Sequence, residues 1–166
     1  MADALDPLVH LHAIAAAAAS ADQPAALFAA IERATAALIG HRLFTVMRYH
    51  ADTAESERVW SNQPRAYPVR GRKPVVDSAW TRRIFAERRP YIGRDAADIR
   101  AVFPDHDLIA SLGCASVLNL PVVWAGQVLG TINLLHETGW YGEAQVPLGL
   151  ICAALAVPAL RELRER

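Results

Sequence analysis

The 166-residue sequence has few cysteines and no excess of charge of either sign. Its two cysteines, Cys114 and Cys152, are too few for a disulfide framework and do not have the spacing of metal ligands. Its 17 basic and 17 acidic residues give a formal net charge of zero, whereas nucleic-acid-binding domains are usually basic. We therefore expect no disulfide, no metal site and no nucleic-acid partner.

The N-terminus lacks the positive charge of an export signal. The stretch "MADALDPLVHLHAIAAAAAS" is rich in alanine, but Asp3 and Asp6 stand where lysine or arginine belongs. With 53% hydrophobic and 20% charged residues, the composition is that of an ordinary globular protein, and the length suits one domain with a proper core. We expect a single cytoplasmic domain over residues 1–166.

The stretch "SVLNLPVVWAGQVLGTINLL", residues 116–135, carries no charge, and its 20 residues are enough to span a bilayer. Its β-branched residues favour strands, and "WAGQ" supplies a turn in which Gly126 can take positive φ. A turn at Ala125–Gly126 pairs Leu120 with Thr131 and Leu118 with Asn133. Both faces are then mainly apolar, which predicts a hairpin covered on both sides and no membrane span.

The rest of the sequence predicts helices and strands that cover this hairpin. Helices are expected after Asp6 and after Asp22, the second ending at Gly40. A long loop with several prolines and a glycine, residues 63–74, follows two strands. The remaining predictions are strands at 41–50, 56–62 and 90–93, helices at 75–89, 95–103 and 105–113, and a closing helix from 142 that bends near Pro158.

This order of elements resembles the GAF domain family over nearly the whole chain. The residues that carry the resemblance are Ser116, Pro121, Gly126 and "LGTINL" at 129–134, followed by a C-terminal helix. The resemblance implies an α+β fold, in which a central antiparallel sheet has the terminal helices on one face. On the other face, loops and short helices enclose a small-molecule pocket. It divides the chain into N-terminal helices (5–39), the sheet with its pocket segment (42–141) and a C-terminal helix (143–164).

The hairpin pairing predicts which side chains face the pocket. Similarity to phytochrome-type GAF domains directs one face of the hairpin toward the ligand, and that face holds Ser116, Leu118, Leu120, Thr131, Asn133 and Leu135. Asn133 then lies in the pocket floor or, alternatively, satisfies a neighbouring backbone group. Asn119 is expected to face the terminal helices, and a slip of one residue in pairing exchanges the two asparagines. The expected lining comprises Asn133, His106, Arg72, Trp80 and Tyr91, with Ser116, Leu118 and Thr131 as further ligand-binding residues.

Basic residues are concentrated in residues 65–94, which hold nine of the 17, opposed by Asp77 and Glu87 alone. The resemblance places this segment over the pocket, where a positive field favours an anionic ligand. Arg70 and Arg72 are the better candidates for contacting it. The paired arginines of the following helix are expected to form its solvated side.

The stretch "FPDHDLIASLGCASV" resembles the segment of phytochrome-type GAF domains in which a Cys-His pair precedes a short helix. In that group the cysteine bonds a bilin, but here Asp105-His106 stands in its place, so no covalent bilin is expected. His106 then either lines the pocket or lies exposed beside a helix cap formed by Asp105.

Three functions remain open at this point. The sequence favours a non-enzymatic sensory module that binds a small, anionic molecule and signals through self-association or a separate partner; it names no cofactor. A GAF-fold free methionine-(R)-sulfoxide reductase is the enzymatic alternative, although Cys114 and Cys152 are unlike a catalytic and a resolving cysteine. The third is an interaction scaffold with a filled pocket.

The apolar terminal segments, 5–39 and 143–163, predict a symmetric homodimer through a helical bundle.

Overall fold

The computed structural model describes residues 6–165, apart from the side chain of residue 165. Asp3 and the first residue of the predicted 5–39 segment lie outside the described residues. Within them, six strands form one antiparallel sheet, in the order β3-β2-β1-β6-β5-β4. The strands are β1 (Leu43–His50), β2 (Glu55–Ser61), β3 (Arg72–Pro74), β4 (Tyr91–Gly93), β5 (Ser116–Trp124) and β6 (Gln127–His136).

Helices cover both faces of the sheet. The described helices are α1 (Pro7–Ala17), α2 (Ala25–Leu38), α3 (Ala79–Thr81, continued by a π-helical turn at Arg82–Ala86), α4 (Ala96–Val102), α5 (His106–Ser111), α6 (Val146–Leu155) and α7 (Val157–Glu165). A 3₁₀ turn at Glu143–Gln145 leads into α6. The α+β prediction, with terminal helices on one face and short helices on the other, is confirmed.

The start of the first helix and the break in the last one follow the sequence signals. Asp6 accepts a hydrogen bond from the backbone N–H of Leu8 at 2.9 Å, and Pro7 occupies the first turn of α1. The closing helix is interrupted at Ala156, where α6 gives way to α7 just before Pro158, as predicted.

The terminal helices pack on one face of the sheet. Their buried side chains include Ile14, Phe28 and Ile31, and the main core cluster joins these to apolar residues of β5 and β6. Gly149 of α6 lies so close to β5 that a Cβ atom there would be 2.8 Å from Leu120 Cδ1. The helices and the central hairpin are therefore in close contact.

The helical stretch Glu143–Arg164 is long and apolar enough to cross a membrane by length and composition. Core helices of soluble proteins meet the same criterion. In this structure one side of the stretch, with Cys152, Ala153 and Ala156, is buried in the core cluster.

The uncharged run 116–135 is the predicted hairpin. Ala125 and Gly126 form its two-residue turn, and both have positive φ, 48° and 77°, as the tightest hairpin turns require. Trp124 and Gln127 pair across the turn.

The predicted pairing of the hairpin was wrong by one residue beyond the turn. Val123 pairs with Val128, but Val122 pairs with Gly130, so the register shifts at a β-bulge beside Leu129. Asn119 consequently pairs with Asn133, and Leu118 pairs with Leu134. Because both faces of the hairpin are apolar, hydrophobic alternation could not reveal the extra residue.

This shift reverses the predicted faces of β5. Leu118 and Leu120 are fully buried in the cluster with the terminal helices rather than in a pocket. Ser116 is likewise buried, and its hydroxyl donates to the Glu137 carbonyl at 2.7 Å. Asn119 lies on the opposite face from the terminal helices, contrary to the sequence prediction.

Candidate functional site

A cavity of about 350 Å³ lies between the sheet and the segment that crosses its other face. This volume falls within the range of small-molecule sites. Strands β1, β2, β5 and β6 form its floor, while α3, the loop before α5 and the residues around β3 form its walls. The lining comprises Leu43, Thr45, Met47, Ser56, Arg58, Tyr67, Lys73, Pro74, Val75, Val76, Ser78, Trp80, Thr81, Phe85, Val102, Phe103, Pro104, Asp105, Ile109, Val117, Asn119, Thr131, Asn133 and Leu135.

A row of polar side chains crosses the middle of the floor. Thr45, Asn133 and Asn119 are direct neighbours on β1, β6 and β5. The Asn119 amide donates to Asn133 Oδ1 at 2.7 Å, and the Asn133 amide donates to Thr45 Oγ1 at 3.1 Å. We call these three residues the polar row. Each amide nitrogen has a second hydrogen and the Thr45 hydroxyl keeps its own, so the row has donors beyond those used within it.

Trp80, on α3, adds one more hydrogen bond to the polar row. Its indole N–H donates to Asn119 Oδ1 at 2.9 Å. The side chain of Ser78 caps the start of α3 by accepting from the backbone N–H of Thr81 at 3.0 Å. The predicted helix 75–89 therefore begins later, at Ala79, and its second part is a π-helical turn. Such turns occur frequently at functional sites.

Aromatic and aliphatic side chains surround the polar row. Trp80 makes edge-on contacts with Phe85 and Phe103, at ring-centroid distances of 6.3 Å and 5.9 Å. Leu43, Leu135, Val117 and Ile109 close another side as part of a second buried cluster. The cavity is thus mainly apolar with a few polar atoms, as small-molecule sites usually are.

Charged groups occupy the β2 side of the cavity. The Arg58 guanidinium lies 4.7 Å from the centre of the Tyr67 ring, and the Tyr67 hydroxyl donates to Asp105 at 2.7 Å. Arg58 Nη1 donates to the Pro68 carbonyl at 3.0 Å, whereas its buried Nε has no hydrogen-bond partner in the described structure. Burial lowers the pKa of Arg58 and raises the pKa of Tyr67, and the bond to Asp105 raises the latter further.

Three of the predicted ligand-binding residues line the cavity: Asn133, Thr131 and Trp80. Two others, Leu118 and Ser116, lie on the wrong face because of the bulge. The other three, Arg72, His106 and Tyr91, surround the cavity without being part of its lining.

Arg72 lies on β3, a short strand within a segment predicted to be loop. Its guanidinium is half-exposed and lies 3.5 Å from the Glu55 carboxylate and 3.8 Å from that of Glu57. The next residue, Lys73, lines the cavity instead. Because adjacent side chains of a strand point to opposite faces, Lys73 lines the cavity and Arg72 does not.

His106 begins α5, and its Nδ1 is 3.1 Å from the Asp107 carboxylate. Asp105 makes no side-chain cap to α5 and instead accepts from Tyr67, so the predicted cap is also absent. Tyr91 pairs with Asn119 at the sheet edge and packs against the second buried cluster. Burial raises the pKa of the Tyr91 hydroxyl.

Sequence reasoning missed Asn119, Thr45 and Arg58 as lining residues. Asn119 was assigned to the other face by the hidden bulge. Thr45 shares one face of "HRLFTVMRYH" with Leu43 and Met47, so the pairing of β1 with β6 would have been enough to place it on the cavity face. Arg58 stands in "SERVWSN", where nothing local distinguishes an inward arginine from a solvated one.

The two cysteines lie in different buried clusters. Cys114 belongs to the second cluster near the cavity, and Cys152 belongs to the core under the terminal helices. Both are free thiols, and burial raises both pKa values, that of Cys152 to about 11. Among residues 6–165, no group of histidine, cysteine, aspartate and glutamate side chains is arranged to hold a metal ion.

Solved structures similar to this chain include two GAF domains and a chromophore-binding domain. The GAF domain of a phosphoenolpyruvate-protein phosphotransferase from Coxiella burnetii has a TM-score of 0.75 and 13% identity, over 98% of this chain and 97% of that one. The phycocyanobilin-bound GAF domain of a cyanobacterial phytochrome has a TM-score of 0.74 and 16% identity, with 98% of each chain covered.

The chromophore-binding domain of a bacteriophytochrome from R. palustris has a TM-score of 0.70 and 12% identity. The match covers 96% of this chain but 61% of that domain. At these identities the similarity shows the fold alone. No curated protein sequence matches the chain.

The sequence model of the GAF domain matches residues 13–159, which include every strand of the sheet and the cavity lining. Together with the sheet order and the covered cavity, this match establishes that the chain belongs to the GAF domain family.

Proposed function

We propose that this GAF domain is a sensory module whose cavity binds a small organic molecule and whose terminal helices pass on the occupancy. The observation that carries the proposal is the polar row, buried in a mainly apolar cavity with hydrogen-bond capacity to spare. Buried polar groups are normally satisfied. A ligand with a donor or an acceptor supplies the missing partners.

The central hairpin offers a path from cavity to helices. Asn119 lies in the cavity floor, and the next residue, Leu120, packs against Gly149 of α6 on the other side of the sheet. A shift of β5 on ligand binding therefore bears directly on α6. Because the contact at Gly149 is tight, such a shift favours one arrangement of the helices over another.

We propose that a second copy of the chain receives this signal. Leu8 and Val9 on α1 and Leu150 and Ile151 on α6 form the terminal-helix patch, with exposed fractions of 72%, 51%, 37% and 47%. Helices α1 and α6 are in contact, which supports a single interface built from both. Leu160, which the sequence also assigned to the interface, is instead fully buried against the sheet.

The buried cysteines support a non-enzymatic role. A reductase of this fold needs two thiols that meet over the pocket, whereas Cys114 and Cys152 lie in separate clusters on opposite faces of the sheet. We expect no turnover of free methionine sulfoxide. Turnover that is lost in Cys114→Ser would contradict this assignment.

Native mass spectrometry of freshly purified protein, with thermal-shift assays across metabolite and nucleotide panels, tests ligand binding. We expect a bound small molecule or a stabilising compound for the native chain. Thr131→Phe, which places a ring in the cavity, should abolish the effect, while the nearly isosteric Thr131→Val should retain it. A chain that carries no bound molecule, and whose melting temperature no compound changes, would instead support the interaction scaffold that binds no ligand.

A further inference from the structure

The described cavity lining has two cations and one carboxylate. Arg58 enters from β2 and Lys73 from β3, while Asp105 lies at the start of α5. Asp105 also accepts the Tyr67 hydroxyl at 2.7 Å. One positive charge therefore remains without a compensating carboxylate on the lining.

No carboxylate among residues 6–165 forms a direct ion pair with Arg58, although Asp105 lies near enough to act on its charge. The two acidic residues beside it on β2, Glu55 and Glu57, face Arg72 at 3.5 Å and 3.8 Å, and Glu57 also bonds His50 at 2.7 Å. The guanidinium of Arg58 donates to one carbonyl oxygen, that of Pro68, and its Nε has no partner within residues 6–165. Among the lining cations, Arg58 is thus held in place by the Tyr67 ring with donors to spare.

The remainder of the cavity is suited to an uncharged body. Met47, Phe85 and Phe103 supply apolar surface, and the polar row supplies neutral amide and hydroxyl groups. A volume of about 350 Å³ lies at the lower end of the range for small-molecule sites.

We propose that the cavity selects a small organic monoanion, a carboxylate with an aliphatic or aromatic body, whose carboxylate is held by Arg58. This inference rests on the proposed function, since it names the ligand class of the same cavity. The planar guanidinium matches a carboxylate with parallel hydrogen bonds. The body of the ligand lies against Met47 and Phe85 and reaches the polar row.

Ligand-observed NMR with matched carboxylate and amide pairs tests the proposal. The probes are benzoate, phenylacetate, phenylpropionate and hexanoate, each beside its uncharged primary amide. We expect at least one carboxylate to bind roughly tenfold or more tightly than its amide. In Arg58→Gln that preference should disappear, whereas in the matched control Arg72→Gln it should persist.

Asp105→Asn provides a second, independent variant, because it keeps an acceptor for Tyr67 and removes the neighbouring negative charge. We expect it to tighten carboxylate binding several-fold and to leave amide binding unchanged. Equal binding of acids and amides, or acid binding that survives Arg58→Gln, would contradict the charge selectivity while leaving a ligand-binding cavity. Failure of every probe to bind would contradict the ligand class. A native chain that, in addition, carries no bound molecule and responds to no panel compound would contradict the proposed function.

Discussion

At the scale of single residues, the polar row does two things at once. It satisfies buried amides in the middle of an apolar floor, and it leaves donors available for the proposed ligand. Trp80, Asn119, Asn133 and Thr45 form one chain of hydrogen bonds across the cavity. Such a chain fixes the orientation of each amide, because reversing one would set like groups against each other.

Asn133→Leu should destabilise the protein by about 1–3 kcal/mol, because the Asn119 amide loses its acceptor in a buried site. Chemical denaturation monitored by circular dichroism measures this loss. Thr131→Val on the same strand is the control, since the Thr131 side chain makes no described hydrogen bond and faces the cavity. An Asn133→Leu protein as stable as the control would show that the polar row does not contribute to the free energy of unfolding.

The stability should also fall at mildly acidic pH because of His41. Burial lowers the pKa of His41 below its ordinary 6.5, while its Nε2 lies 3.1 Å from the Glu32 carbonyl. As the pH falls through about 6.5, His41 binds a proton in the unfolded chain, whereas in the folded chain it binds one only at lower pH. Protonation therefore favours the unfolded state, and the free energy of unfolding decreases as the pH falls. Burial lowers the pKa of His136 in the same direction.

Urea unfolding at about pH 7.5 and about pH 5.5 measures the pH dependence. We expect His41→Gln to reduce it and His12→Gln, a change at an exposed histidine of α1, to leave it unaltered. A native protein whose stability rises as the pH falls would oppose this assignment.

At the scale of elements, the central hairpin decides which face each side chain occupies. Its turn was readable from "WAGQ", and the prediction that both faces are covered was correct. The bulge beside Leu129 was not readable, because its neighbours on both faces are apolar and either pairing buries them. For the same reason Asn133 was placed correctly and Asn119 was not.

Other elements show the same division between local and tertiary signals. The caps at Asp6 and the break near Pro158 arise from local chemistry and were predicted. The edge strand β3 depends on its partner β2, and Arg58 depends on the position of Tyr67. Neither contact can be predicted from the residues next to it in the sequence.

Gly130 on β6 lies close against the backbone of β1. A Cβ atom at this position would overlap the Met47 carbonyl oxygen, which is backbone and cannot rotate away. Gly130→Ala should therefore cost at least about 3 kcal/mol in unfolding free energy, or prevent folding. Gly71→Ala is the matched control, because nothing lies within 4 Å of a Cβ there. Equal stability of the two variants would refute the predicted close approach.

At the scale of the whole molecule, the sheet separates two surfaces for which we propose different roles. The cavity face carries the polar row and Arg58, and the helix face carries the terminal-helix patch. The family resemblance gave this division correctly, but it named neither the ligand nor the partner. Both depend on side chains that vary on a common fold.

The terminal-helix patch should hold two copies of the chain together. Light scattering at micromolar concentration should give twice the 18.1 kDa chain mass, and Ile151→Glu should reduce it to the monomer value. Val69→Glu introduces the same charge at a site 45% exposed in the segment between β2 and β3, outside the terminal helices, and should leave the dimer intact. A native monomer, or a dimer indifferent to Ile151→Glu, would place any self-association elsewhere.

The most direct test of the account follows the cavity's own N–H groups in a ¹⁵N-labelled protein during titration with the carboxylate and metabolite panels. The account predicts that a binding compound shifts the Trp80 indole signal and the side-chain amide signals of Asn119 and Asn133. The indole signals of Trp124 and Trp140, which lie outside the cavity lining, should remain at their positions. Binding that shifts Trp124 or Trp140 while Trp80 and both amides stay unchanged would contradict the assignment of this cavity as the ligand site.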